Sequence, residues 1–116
     1  MLRGILYELV RADAFGATVR LLPESAVYRG HFPGYPITPG VCLVQIALEL
    51  VGEMADQVGH DGKPRLVSAK NIKFTNPVIP EEGKALRFNL SGEEGSWSVE
   101  VFDGEVLSAK MSLTVE

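Results

Sequence analysis

A chain of 116 residues has room for one compact domain and little beyond it, so a single domain over residues 1–116 is expected. With 46% hydrophobic and 22% charged residues it should fold and stay in solution, while a net charge of −4 without a dense basic cluster excludes nucleic acid as a partner. One cysteine excludes an internal disulfide and is compatible with a reducing, cytoplasmic location. No apolar run reaches the length of a membrane span, and residues 1–6 lack the long apolar core and small-residue cleavage site of a signal peptide, so no membrane insertion is expected.

Residues 2–12 can be strand or short helix. Strand is the better reading, because Gly16–Leu22 follows a short Asp-Ala-Phe link and reads as its hairpin partner. Pro23–Tyr28 then continues as an extended segment, and Pro33, Pro36 and Pro39, spaced by three, keep residues 32–38 out of helix. Thr38 is a good N-cap and Pro39 suits the first helical position, so a helix is predicted from Pro39 to about Val58, stopping at Gly59. At roughly 30 Å it matches the length of the domain. Its apolar residues cover most of its circumference, and Gln45, Glu49, Gly52, Glu53 and Asp56 leave one narrow polar stripe. A helix this apolar needs burial on most sides. A curled sheet together with a second subunit would supply it.

After a turn at residues 60–64 come four strand-like runs, Leu66–Phe74, Lys84–Leu90, Ser96–Phe102 and Val106–Val115, with Asp103-Gly104 as a strong hairpin signal. Successive hairpins would make them a four-stranded meander. The predicted class is α+β: one long central helix held by a single antiparallel sheet.

A helix starting at Pro39 leaves the amides of Gly40 and Val41 without intrahelical acceptors, at an end that favours negative charge. His31 lies on the preceding loop, eight residues earlier. A base facing an oxyanion site is a catalytic geometry. Each residue also has a plainer reading. A loop histidine is commonly solvated, Gln45 and Glu49 can simply face solvent, and His60 sits in a Gly-rich turn at the surface. Cys42 falls in the first helical turn, where thiolates are favoured, but reads better as a buried structural thiol. No metal-ligand spacing or phosphate-binding glycine loop is present.

The stretch Gly30-His-Phe-Pro-Gly-Tyr-Pro-Ile-Thr-Pro-Gly-Val41 resembles the signature of the hot-dog-fold 3-hydroxyacyl-[acyl-carrier-protein] dehydratases of the FabA/FabZ type: a Gly-His-Phe-Pro loop followed by a Pro-Gly-Val helix start. Ile72–Pro80 is similar to the family's strand and Pro-Val-x-Pro turn after the helix. The resemblance implies a hot-dog homodimer with its active site at the subunit interface. It implies an acyl chain in an apolar tunnel, tethered by phosphopantetheine to an acyl carrier protein, and no cofactor. It places His31 at the catalytic histidine and Gly40 at the glycine whose amide holds the thioester carbonyl, with Val41 beside it. Phe32 and Tyr35 would border the substrate entrance or pack the loop down.

The main departure is Gln45. It stands fourteen residues after His31, where the family has a catalytic Glu or Asp. Many members carry a glutamine where this chain has Glu49, so the two residue types look exchanged. An amide cannot supply the proton that the departing hydroxyl needs. Three routes follow: His31 returns its captured proton while Gln45 orients the substrate; Glu49 acts as the acid; or the chain is a non-catalytic acyl-binding or partner subunit. The expected reaction is elimination of water from a carrier-bound 3-hydroxyacyl thioester, giving the trans-2-enoyl thioester in fatty-acid or polyene-like lipid synthesis. A hot-dog thioesterase is the alternative enzyme. Arg29, Lys63, Arg65, Lys70 and Lys73 are the candidates for docking an acidic carrier.

Overall fold

A computed structural model describes residues 2–29, 37–54, 65–93 and 95–116. His31, Phe32, Tyr35, His60, Lys63 and the expected helix end at Val58 lie outside the described residues. Among the described residues six strands and two helices follow one another as β1 (Tyr7–Asp13), β2 (Gly16–Leu21), α1 (Ala26–Arg29), α2 (Gly40–Met54), β3 (Leu66–Phe74), β4 (Ala85–Glu93), β5 (Ser96–Asp103) and β6 (Val106–Val115).

All six strands join one antiparallel sheet in the order β1-β2-β4-β5-β6-β3, with α2 packed against β2 and β6. This curled sheet around a helix is the hot-dog fold. Alternation decides which face meets the helix. Leu86, Phe88 and Leu90 on β4, Val99 and Val101 on β5, and Ala109, Met111, Leu113 and Val115 on β6 are buried together with Leu43, Ile46, Leu50 and Val51 of α2. The intervening Ser91, Ser98, Lys110 and Thr114 face outward.

Four expectations need correction. Residues 2–6 are a turn rather than strand: Ile5 and Leu6 amides donate to the Leu2 carbonyl and Gly4 sits at φ +84°. The segment after Pro23 is not extended throughout, because Ala26–Arg29 form one helical turn, with Ser25 Oγ accepting from the Val27 amide at 3.3 Å. The meander has three strands, β4-β5-β6. β3 instead pairs with β6 at the sheet edge, while β4 pairs with β2. The tight β5–β6 connection is Gly104-Glu105, one residue later than expected, with Gly104 at φ +63° and Asp103 still paired with Val106.

Candidate active site

α2 begins at Gly40. The Pro39 carbonyl accepts from the amides of Cys42 (2.9 Å) and Leu43 (3.4 Å), which makes Pro39 the residue flanking the helix rather than its first member. Thr38 does not cap it. Its buried hydroxyl is 3.0 Å from the Tyr28 hydroxyl, and its amide donates to the Val78 carbonyl at 2.8 Å. That second bond ties the segment before the helix to the β3–β4 connection. Between the two lies a cleft of about 450 Å³, walled by Ile37, Gly40 and Val41 on one side and by Phe74, Asn76 and Pro77 on the other. Gly40 and Val41 head the helix, where amides lack intrahelical acceptors, and both line this cleft. Val41 is 74% exposed although apolar.

A Cβ at Gly40 would lie 2.6 Å from Cζ of Phe74, so any larger residue there requires this half-exposed ring to swing away. Phe74, Asn76 and Pro77 were not singled out as site residues. The signal for them was the strand-and-turn motif Ile72–Pro80, which the fold brings against the helix start.

Further along α2, Glu49 is only 1% exposed and accepts four hydrogen bonds. Oε2 takes the Leu2 amide (2.8 Å) and Gln45 Nε2 (2.8 Å), while Oε1 takes the Arg3 amide (3.1 Å) and the Tyr7 hydroxyl (2.9 Å). A carboxylate has about four acceptor sites, and all are used. The turn at residues 2–6 exists in register to deliver two of these donors, and an Arg3–Glu53 ion pair holds it from outside. Burial, followed by the bond to Glu49, pushes the Tyr7 hydroxyl far above its ordinary range, so Tyr7 remains a donor. Gln45 is half-buried, less enclosed than the Glu49 and Tyr7 side chains. Thus Glu49 does not face solvent, as the stripe pattern allowed, but is the centre of an anchor.

Cys42 is half-buried and its thiol is pushed up by burial, which fits a structural thiol and not a thiolate. Among the described residues no group of His, Cys, Asp and Glu is arranged to hold a metal. No described helix is long and apolar enough to cross a membrane.

On β3 a bulge at Asn71-Ile72 changes the strand's parity. Lys70 pairs with Ser112 and Lys73 with Lys110, so two residues on β3 oppose the single Met111, one extra residue on β3. Asn71 takes φ +54°, a conformation that asparagine tolerates better than most residues. Directly opposed residues share a face. The bulge therefore sets Lys70 and Lys73 on the side occupied by Lys110, and Lys73 precedes the cleft residue Phe74.

The profile of the ApeI-like family, ApeI dehydratase, matches residues 8–112. The chain belongs to the ApeI-like dehydratases. It is also 33% identical over 101 residues to a 3-hydroxyacyl-[acyl-carrier-protein] dehydratase FabZ of Saccharophagus degradans, covering 80% of this chain and 68% of that one. A FabZ of Geotalea uraniireducens is 37% identical over 79 residues, covering 62% and 53%. A FabZ of Rhizorhabdus wittichii is 32% identical over 102 residues, covering 84% and 64%. The chain thus spans between about half and two thirds of the length of these relatives. Among solved structures, the dehydratase heterocomplex ApeI:P from Xenorhabdus doucetiae superposes with a TM-score of 0.69 at 18% identity, over 94% of this chain and 96% of that one. An uncharacterised protein from Erwinia carotovora gives 0.61 at 23%, over 94% and 90%. These two likenesses establish the fold.

Proposed function

We propose that this ApeI-like dehydratase eliminates water from a carrier-bound 3-hydroxyacyl thioester, giving the trans-2-enoyl thioester, with His31 as the protonable group. His31 removes the proton from the carbon beside the thioester. The resulting enolate oxygen sits at the Gly40 amide, an oriented donor whose loss costs roughly 3 kcal/mol in comparable sites. The imidazolium then gives the proton to the 3-hydroxyl. The C–O bond breaks, its electron pair leaves with the oxygen as water, and the pair from the enolate forms the double bond. This acid–base chemistry calls for no cofactor. The single observation that supports this division of labour is the saturation of Glu49. A carboxylate already accepting from two backbone amides, a tyrosine and Gln45 has no free position for substrate, so the acid role falls to His31 and the substrate-facing role to Gln45. The same saturation speaks against a thioesterase, which needs a carboxylate free to activate water.

The acyl chain enters beside Val41 and Phe74, which line the cleft at the helix start. The likeness to FabZ points to an acyl carrier protein as the donor of substrate. Lys70, Lys73 and Lys110, gathered by the bulge on an otherwise acidic chain, suit an acidic carrier. β3 is an edge strand with Leu66, Val67, Ile72 and Phe74 all more than a third exposed, which suits pairing with a second protomer in a homodimer. A carrier-tethered step belongs in the cytoplasm, in fatty-acid or polyene-like lipid synthesis.

A second reading has one observation behind it: the Xenorhabdus doucetiae neighbour is described as a heterocomplex. On that reading the chain works only beside a different hot-dog subunit. The test is turnover of one carrier-bound 3-hydroxyacyl substrate by the wild type, His31→Ala, Gln45→Glu and Glu49→Gln. We expect enoyl product from wild type and none above background from His31→Ala. Activity that survives in His31→Ala, or thiol released equally from a saturated acyl thioester, would remove the elimination reading. Silence of the wild type, broken by adding a second hot-dog subunit, would establish the heteromeric one.

A further inference from the structure

The four bonds at Glu49 also decide which end of Gln45 meets the substrate. An amide side chain offers a donor end and an acceptor end, and its orientation is dictated by its network. Glu49, as a carboxylate, offers acceptors only. Two of its four donors, the Leu2 and Arg3 amides, belong to the backbone and cannot turn. The third, Tyr7, is held protonated by burial and by its bond to Glu49. Gln45 therefore meets Oε2 with Nε2, at 2.8 Å, and its carbonyl oxygen lies at the opposite end of the amide.

We infer that Glu49 is a positioning residue that turns the Gln45 carbonyl oxygen toward the acyl site, where it accepts a hydrogen bond from the substrate's 3-hydroxyl and selects 3-hydroxyacyl over 3-oxoacyl chains. This rests on the reading that Gln45 faces the reacting carbons. The charge on Glu49 polarises the amide it receives and strengthens the acceptor at the far end. A hydroxyl that donates to Gln45 keeps its lone pairs open for the proton arriving from His31. A 3-oxo group has no proton to give and would set oxygen against oxygen. Exchanging the two residues would invert this polarity, since a carboxylate at 45 and an amide at 49 would leave the amide free to turn.

The test is binding rather than turnover. Pantetheine amides carrying 3-hydroxyhexanoyl and 3-oxohexanoyl chains, with nitrogen in place of the thioester sulfur, are titrated into four proteins by calorimetry. Wild type should bind the hydroxy compound about tenfold more tightly, the size of one hydrogen bond. Gln45→Leu should lose the preference. Glu49→Gln, whose own amide can donate to Gln45 and let it turn, should fall to within about twofold. Tyr7→Phe also removes a bond to Glu49 but leaves the carboxylate, so it should keep the tenfold preference. A merely structural role for Glu49 would move Tyr7→Phe and Glu49→Gln together. Should Glu49→Gln fail to fold, the other three proteins decide. Equal binding of both compounds by wild type, or a preference that survives in Gln45→Leu, overturns the inference. Selective binding without turnover would leave it standing and remove the elimination chemistry. Turnover with unselective binding would do the reverse.

Discussion

At Gly40 and Val41 the central helix ends against an open cleft; at Glu49, about two and a half turns on, it is held on every acceptor position it has. The first region offers unspent backbone donors beside exposed apolar side chains, Val41 at 74% and Phe74 at 52%. The second holds a carboxylate at 1% exposure, surrounded by donors that all point inward. Residue type alone would assign chemistry to the second and structure to the first. The proposed function, resting on the bonding, assigns them the other way round. A polar group with open valences at a surface can act on a ligand, whereas one whose valences are filled by the backbone fixes the chain.

This contrast can be broken most forcefully at the anchor. Glu49→Ala strands two backbone amides, a buried tyrosine hydroxyl and Gln45 at once. It should cost about 3–5 kcal/mol of folding free energy in urea titrations, at the upper end of single-residue effects. A loss under about 1 kcal/mol would mean that water takes over these donors and that the anchor is not structural.

At the cleft the expectation is opposite in kind. Gly40→Leu adds a side chain where Phe74 already lies 2.6 Å from a Cβ position, so the ring must swing away and the helix start is covered. Turnover should drop about a hundredfold or more, as when an oxyanion donor is lost, while stability changes by less than about 1 kcal/mol. A variant equally damaged in both would erase the distinction between the two regions.

Tyr7→Phe sharpens the comparison more gently. It removes one neutral donor to a charged acceptor and should cost about 1.5–2 kcal/mol, with no change in the shape of the pH–rate curve. The smallest effect belongs to a control remote from both regions. Arg87 donates to Asp13 at 2.8 and 3.0 Å and holds its carboxyl down from 3.8 to about 2. Because the folded value is the lower one, its small contribution is present above pH 4 and fades as pH falls toward 2. Wild type and Asp13→Asn should differ slightly in denaturation midpoint at pH 7 and converge at pH 2, with exposure and salt keeping the difference small.

Much of the fold was legible because its signals are local. Alternation marked β4 to β6, Gly and Asp marked their turns, and the mostly apolar circumference of Val41–Val51 required a sheet around it. The edge position of β3 was not legible, since pairing with β6 depends on where the chain crosses after α2, and no local pattern encodes that. Gly40, Gln45 and Glu49 stand out in the sequence, but the bonding that separates an open helix start from a filled carboxylate does not. Thr38 reads as a cap until Tyr28 is seen to take its hydroxyl. Glu49 reads as part of a surface stripe until the turn at residues 2–6, some forty-six residues away in sequence from its acceptor, is seen to fill its acceptor positions. Helical spacing shows which side chains share a stripe. It does not show what distant backbone arrives to meet them.

The central claim is that one ionising side chain, His31, performs the acid–base work while Glu49 takes no part in proton transfer. The pH dependence of kcat/KM on a single 3-hydroxyacyl thioester tests it most directly. The account predicts one rising limb through the imidazole range near neutral pH, then a plateau, unchanged in Gln45→Leu apart from its height. A bell-shaped profile whose falling limb disappears in Glu49→Gln would show a second essential proton at Glu49 and contradict it.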